Sequence, residues 1–198
     1  MYRGTEAVTQ VLLSAVTPQP WRNGAGVTRE LLAWQSAQNW RCRISVANID
    51  QDAPFSAFPG VQRWFAVIDG TGVALRFGDK PEYLMTPADA PLCFDGAAAP
   101  NCRLLGGASR DLNLMLRGAN GGMRRSDNGS GWHTSASGAG IFAVCSGRLH
   151  LNDGRSFAVA PMSLVWFSLL RPIAMRFDLN NSTLTPGVPI GWWLYCDG

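Results

Sequence analysis

A chain of 198 residues, 46% apolar and 16% charged, can bury a substantial core. It lacks the charge-rich composition of a disordered chain, and no stretch approaches the ~20 consecutive apolar residues of a membrane-spanning helix. The net charge of +3, with no Lys/Arg-rich run, argues against a nucleic-acid partner.

The opening Met1–Glu6 shows neither an apolar h-region nor a small-residue cleavage site. Five Cys (42, 93, 102, 145 and 196) have no C-x-x-C spacing. An odd count without a signal peptide is the pattern of reduced, mostly buried thiols, and the expected location is cytoplasmic.

In chain order, Val8–Val16, Val27–Trp34, Trp40–Ile49, Trp64–Ile68 and Val73–Phe77 read as strands. So do Asp111–Arg117, Ile141–Cys145, Arg148–Leu151, Ser163–Phe167, Ile173–Phe177 and the closing Ile190–Cys196. Val, Ile, Trp and Phe dominate these runs, and Gly, Asp, Asn or Pro bound them. Val27–Gln38 also fits a short helix. Many short strands at close spacing define a sandwich or barrel.

One internal echo narrows that choice. Phe65-Ala66-Val67-Ile68-Asp69-Gly70 returns 77 residues later as Phe142-Ala143-Val144-Cys145-Ser146-Gly147. Each copy leads into a short second strand, an Asp/Gly turn and a Pro-led β run (Pro87–Phe94 and Pro161–Phe167). The ordered repeat of these features predicts a duplication. The rhythm is that of a cupin barrel, so the fold class expected is all-β: a bicupin with two cupin-like β-barrels or jelly rolls. The expected halves are 1–117, with closing strands exchanged with the other half, and 118–198. Gly118–Gly140, rich in Gly, Asn and Ser, reads as the connection.

Several chemistries are missing. His133 and His150 are the only histidines, and a cupin metal site needs a cluster of imidazoles with a carboxylate. No metal site and no cofactor is therefore expected. There is no Gly-x-Ser-x-Gly elbow, no phosphate loop and a single lysine, Lys80, beside Pro81. No catalytic residue is assigned. Sixteen Arg against that one Lys suits a GC-rich genome, and also suits bidentate anion binding.

Polar residues concentrate in four places. In Trp21-Arg22-Asn23-Gly24-Ala25-Gly26-Val27-Thr28-Arg29-Glu30, the Asn-Gly-x-Gly turn either offers backbone amides to an anion or is a plain turn with an Arg29–Glu30 edge pair. In Trp40–Asn48, alternation puts Cys42, Ile44 and Val46 on one face and Arg41, Arg43 and Ser45 on the other. That second face looks either outward or into a barrel mouth. In Phe55–Trp64, two aromatics, a Pro-Gly turn and Arg63 form either a lid or a packed hairpin connection. In Arg110–Met115, Asp111, Asn113 and Met115 share a face, which suits a small polar pocket if it points inward. Phe94-Asp95-Gly96 is either a strand-ending turn or a pocket wall.

These stretches resemble the HutD/Ves family. Trp21-Arg22-Asn23-Gly24-x-Gly26-x-Thr28-Arg29-Glu30 is similar to its N-terminal signature. Arg43-Ile44-Ser45-x-Ala47, Phe55-Ser56-x-Phe58-x-Gly60-x-x-Arg63, Phe94-x-Gly96 and Asp111-x-Asn113-Leu114-Met115 follow in the family's order. The likeness is strong over about residues 8–117 and continues through fold rhythm. The chain departs from the pattern at Ala25 (usually Gly), Cys42 (aromatic), Gln62 (acidic) and Leu112 (Phe).

The resemblance implies a metal-free bicupin. Some members are associated with histidine utilisation, through an intermediate such as formylglutamate or urocanate. The leading expectation is a non-catalytic cupin binding a small carboxylate. Its ligand-binding residues would be Asn23, Gly24, Thr28, Arg29, Arg43, Ser45, Arg63, Phe94, Asp95, Asp111, Asn113 and Met115. The rival is a metal-free isomerase or hydrolase with Asp111 or Asp95 as base. A third class is an interacting subunit with an apolar-filled barrel and no ligand. Neither nucleic acid nor membrane is expected as a partner, and a homodimer through edge strands is a fold-level expectation.

Overall fold

The computed structural model describes residues 7–180 and 189–198, so the opening Met1–Glu6 falls outside the described residues. The first half contributes β1 (Val8–Leu12), β2 (Gln19–Pro20), β3 (Gly26–Trp34), β4 (Cys42–Ile49), β5 (Ala53–Pro54), β6 (Val61–Gly70), β7 (Val73–Arg76), β8 (Tyr83–Met85), β9 (Leu92–Asp95), β10 (Asn101–Leu104) and β11 (Ser109–Arg117). The second contributes β12 (Asn120–Ser126), β13 (Gly131–Thr134), β14 (Gly138–Ala143), β15 (Gly147–Leu151), β16 (Ser156–Val159), β17 (Ser163–Ser168), β18 (Ile173–Leu179) and β19 (Gly191–Asp197). Among the described residues the only helical pieces are two 3-10 turns, Leu13–Ala15 and Gly96–Ala98.

The strands form four antiparallel sheets, two in each compact unit. Val16–Ala119 holds a six-stranded sheet, β2-β3-β4-β11-β6-β9, and a four-stranded sheet, β5-β10-β7-β8. The other unit, which combines the chain up to Ala15 with Asn120–Gly198, holds β1-β17-β14-β19-β12 and β13-β18-β15-β16. The two topologies superimpose by a shift of eight strands. β4-β11-β6-β9 becomes β12-β19-β14-β17, and β5-β10-β7-β8 becomes β13-β18-β15-β16. The echo between Phe65–Gly70 and Phe142–Gly147 is thus the trace of a repeated double-sheet unit.

Two expectations need correction, and one alternative falls away. Val8–Val16 is a strand only to Leu12, after which Leu13 turns inward as a buried residue of the Leu13–Ala15 turn. Val27–Gln38 is a strand as far as Trp34, not a helix, because both β2 and β4 pair with it. The Gly118–Gly140 stretch is no loose connection: it contains β12, β13 and the start of β14. Gly122 and Gly140 within it serve close approach. A Cβ on Gly140 would overlap the carbonyl oxygen of Val165 on the paired strand, so a side chain there would push β17 away.

The two interiors are filled differently. In the Asn120–Gly198 unit, Trp132, Ile141, Leu149, Val165, Phe167, Met175, Phe177 and Trp193 are all buried in one apolar cluster. Trp132 and Trp193 stack with centroids 5.4 Å apart. In the Val16–Ala119 unit, Phe55, Phe65, Val67, Val73, Leu75 and Cys102 close only part of the interior.

Candidate ligand-binding site

The remaining space in the Val16–Ala119 unit is a cavity of about 730 Å³. Its walls follow from strand register. Antiparallel pairing aligns Thr28, Ala47, Asp111 and Val67 in one rung across β3, β4, β11 and β6. The next inward rung is Glu30, Ser45, Asn113 and Phe65, and the third is Ala33, Arg43, Met115, Arg63 and Phe94. Residues two apart on a strand share a face, so all three rungs look the same way. A bulge at Leu31 keeps Thr28, Glu30 and Ala33 on that face, whereas the register shift at the Arg110/Asp111 step leaves Ile68 of β6 unpaired and lies outside the three rungs. The alternate face carries Cys42, Ile44, Val46, Leu112 and Leu114, each fully buried.

Of the residues expected to bind ligand, Asn23, Thr28, Arg43, Ser45, Arg63, Asn113 and Met115 line the cavity. Arg29 does not. It pairs with Val46 in the register between two inward rungs, so its side chain leaves the sheet on the other face. Gly24 shapes the turn at φ +72° but is not on the wall. Phe94 backs Arg63 instead of touching the space. Asp95 is exposed and accepts a hydrogen bond from the Ala97 amide, capping the Gly96–Ala98 turn. Asp111 lies behind the wall.

The expected amide nest is closed. The Gly24 amide donates to the Trp21 carbonyl and the Ala25 amide to Asn23 Oδ1, so both donors are already engaged in holding the turn. The expected Arg29–Glu30 edge pair is replaced by a cross-strand one: Arg43 Nε donates to Glu30 at 2.6 Å. Residues not singled out as ligand contacts complete the wall: Gln19, Pro20, Trp21, Arg22, Ala47, Pro54, Phe55, Ser56 and Phe58. Trp21 is locked there by its indole N–H on Thr28 (2.7 Å) and an edge contact with Phe55. The two aromatics before the Pro-Gly turn were the available signal for that rim.

Arg63 is the centre of the arrangement. It was expected just ahead of a strand beginning at Trp64. The strand begins at Val61, which turns Arg63 inward, and the residue is 6% exposed. Its guanidinium lies 4.5 Å from the ring centroid of Phe55 and 5.4 Å from that of Phe94. Nε donates to Asn113 Oδ1 at 2.7 Å. Neither Nη group has a hydrogen-bond partner among the described residues. Aromatic faces favour the cation without satisfying its N–H donors. Burial lowers the Arg63 pKa to about 10, against the pull of Asp111, so it stays charged at neutral pH.

Asn113 passes the interaction on. Its amide nitrogen donates to Asp111 Oδ1, and this orientation is forced because arginine can only donate. Asp111 Oδ2 is buried with no partner. Burial raises the Asp111 pKa to about 7, outweighing the opposing effects of Arg63 and the Asn113 hydrogen bond. Arg22, Arg43 and Arg63 thus line one cavity, and Glu30 is ion-paired with Arg43 alone. The field inside favours an anion.

Among the described residues no three of His, Cys, Asp and Glu come together in a way that could hold a metal ion. No disulfide forms among the described residues; Cys42, Cys102 and Cys196 are buried and Cys93 is exposed. No helix among the described residues is long and apolar enough to cross a membrane.

Two repeated double-sheet units, one of them hollow and lined by arginine, define a bicupin. The match to solved structures agrees: a conserved protein of unknown function from Pseudomonas aeruginosa PAO1 aligns at TM-score 0.82 and 24% identity, over 97% of this chain and 100% of that one. HutD from Pseudomonas fluorescens SBW25 aligns at 0.79 and 21%, over 96% and 98%. Oxalate decarboxylase from Bacillus subtilis shares the fold alone, at 0.60 and 8% identity over 98% and 78%. Residues 13–182 match the HutD family profile, and the chain belongs to the HutD family. Protein Ves of Cronobacter sakazakii is 32% identical over 136 residues, 67% of this chain and 74% of that protein. An uncharacterized 21.2 kDa protein in the hutC 3' region of Pseudomonas putida is 38% identical over 98 residues, 48% of this chain and about half (51%) of its own length.

Proposed function

We propose that the protein is a non-catalytic binder of a small carboxylate metabolite, held in the cavity of the Val16–Ala119 unit, with a regulatory role in histidine utilisation in the cytoplasm. Formylglutamate and urocanate are the candidate ligands, in keeping with the hut context that two relatives carry in their names. One observation carries the reading: a buried, charged Arg63 with its Nε anchored and its Nη groups unpartnered beside an open cavity. A buried cation is costly until it is paired, so a carboxylate that pairs it contributes a charge-assisted contact of about 1.5–3 kcal/mol. Ser45, Asn113 and Arg43 supply further polar contacts along the same wall.

A thermal-shift screen of histidine-pathway acids tests this. Ligand at about 100 times its Kd adds about 2.7 kcal/mol, or about 5–10 °C in Tm for a chain of this size. Arg63→Ala removes most of that shift. An equal shift in wild type and Arg63→Ala, or none with any acid, contradicts the reading.

The raised pKa of Asp111 favours the rival, acid/base catalysis. Against it, Asp111 does not reach the cavity wall, and Asn113 stands between it and the space. Formylglutamate and urocanate followed by NMR in the presence of the protein remain unconverted on the binding reading; a product signal favours the enzyme.

A further inference from the structure

Arg63, Asn113 and Asp111 form a continuous buried chain in which one cation serves two possible anions. Asp111 reaches Arg63 through the Asn113 amide, and its Oδ2 has no hydrogen bond of its own. A ligand carboxylate on the Nη side of Arg63 brings a second negative charge into the same poorly solvated interior. Two carboxylates sharing one cationic partner cannot both remain ionised cheaply, and the one with fewer hydrogen bonds takes a proton.

We infer that carboxylate binding beside Arg63 is linked to uptake of one proton from solvent by Asp111, so that acidification strengthens binding. The inference rests on the carboxylate-binding reading above and adds its regulation. The proton goes to the Asp111 carboxyl, Asn113 Nδ2 continues to donate to Oδ1, and no other bond changes.

Among the described residues, the charge that acts on Asp111 is that of Arg63. On β6 the facing charge is Arg63, which stays protonated below about pH 10. On β4 Asp111 faces Ala47; Arg43, opposite Met115 and held by Glu30 of β3, acts on Arg63. On β10 the facing group is the Cys102 thiol, which burial pushes up to about 12 and which is therefore neutral. Asp52 acts on Cys102 from beyond. The ligand-free pKa of Asp111, about 7, sets the lower edge of the window: below it Asp111 is protonated with or without ligand, and above it binding must bring the proton in.

Calorimetric titration of the intact protein with formylglutamate between pH 6 and pH 9 tests this. Both carboxyls of that probe are ionised throughout, whereas the urocanate imidazole titrates in the window. A one-unit rise of the Asp111 pKa on binding weakens affinity about eightfold from pH 6 to pH 9 and takes up about 0.5 proton per ligand near pH 7.5, read from two buffers of different ionisation enthalpy. Asp111→Asn binds with an affinity that is flat over this range and takes up no proton. Binding that is pH-independent and proton-neutral in wild type overturns the inference and leaves the binding reading intact. So does an unchanged pH dependence in Asp111→Asn. Should that variant fail to fold, the wild-type proton count decides alone. Absence of binding at every pH overturns both.

Discussion

At the scale of single residues, Arg63 and Asp111 carry opposite strains from the same cause. Burial lowers the basicity of the first and raises the pKa of the second to about 7. For Asp111 this has a consequence without any ligand. The folded state holds a proton between about pH 4 and pH 7 that the unfolded chain releases, so this contribution to stability is complete below about pH 4 and falls as pH rises to about 7. The expected outcome is that Asp111→Asn gains stability relative to wild type across that window, by no more than about 4 kcal/mol. Urea denaturation of both proteins at pH 4.5, 6 and 7.5 measures it, and a constant difference contradicts it. Arg63→Lys keeps the charge but loses the planar stack on Phe55 and Phe94 and the fork of donors. It should weaken carboxylate binding about tenfold, as read by calorimetry.

These residues were only partly legible in the sequence. Alternation grouped Arg43 with Ser45, and Asp111 with Asn113 and Met115, correctly. It could not say which face was the interior, because the opposite face of the same strands is just as buried. Arg29 could have been excluded by the same logic, since neighbours Thr28 and Arg29 cannot both point inward on one strand. The Glu30–Arg43 pair was not legible, because its geometry depends on a bulge at Leu31 that no local composition announces. Gly24 was read as an anion-binding turn, whereas the Asn23 side chain takes the Ala25 amide itself, a habit of Asn in turns.

At the scale of elements, strands rich in Val, Ile and Trp were found where expected, and glycine-rich ones were missed. β12, β13 and the start of β14 hide in a Gly/Asn/Ser stretch, in which Gly122 and Gly140 are required by packing and not by turns. Gly140 and Gly24 separate the two causes. Gly140 has no room for a Cβ; Gly24 has open space around it but a left-handed φ of +72°. Gly140→Ala is expected to cost about 1–3 kcal/mol through displacement of β17, and Gly24→Ala about 1 kcal/mol through backbone strain alone. Chemical denaturation ranks them; the reverse order contradicts the packing explanation.

At the scale of the whole molecule, duplication produced two units with one topology and different contents. The echo of four identical residues was enough to reveal the repeat, since β6 and β14 occupy the same place in their sheets. The contents were harder to read. Trp132, Phe177 and Trp193 fill one interior, while Arg43, Arg63 and Asn113 leave the other hollow. No group of metal-ligating side chains occurs among the described residues, so chelator treatment should leave both Tm and carboxylate affinity unchanged. A loss of either after EDTA dialysis contradicts this.

The most direct measurement is a crystal structure of the protein grown with formylglutamate. The account predicts a carboxylate within hydrogen-bond distance of the Arg63 Nη groups, at the depth of Ser45 and Asn113. Density for the ligand only on the outer faces, or a cavity that stays empty at saturating ligand, contradicts it.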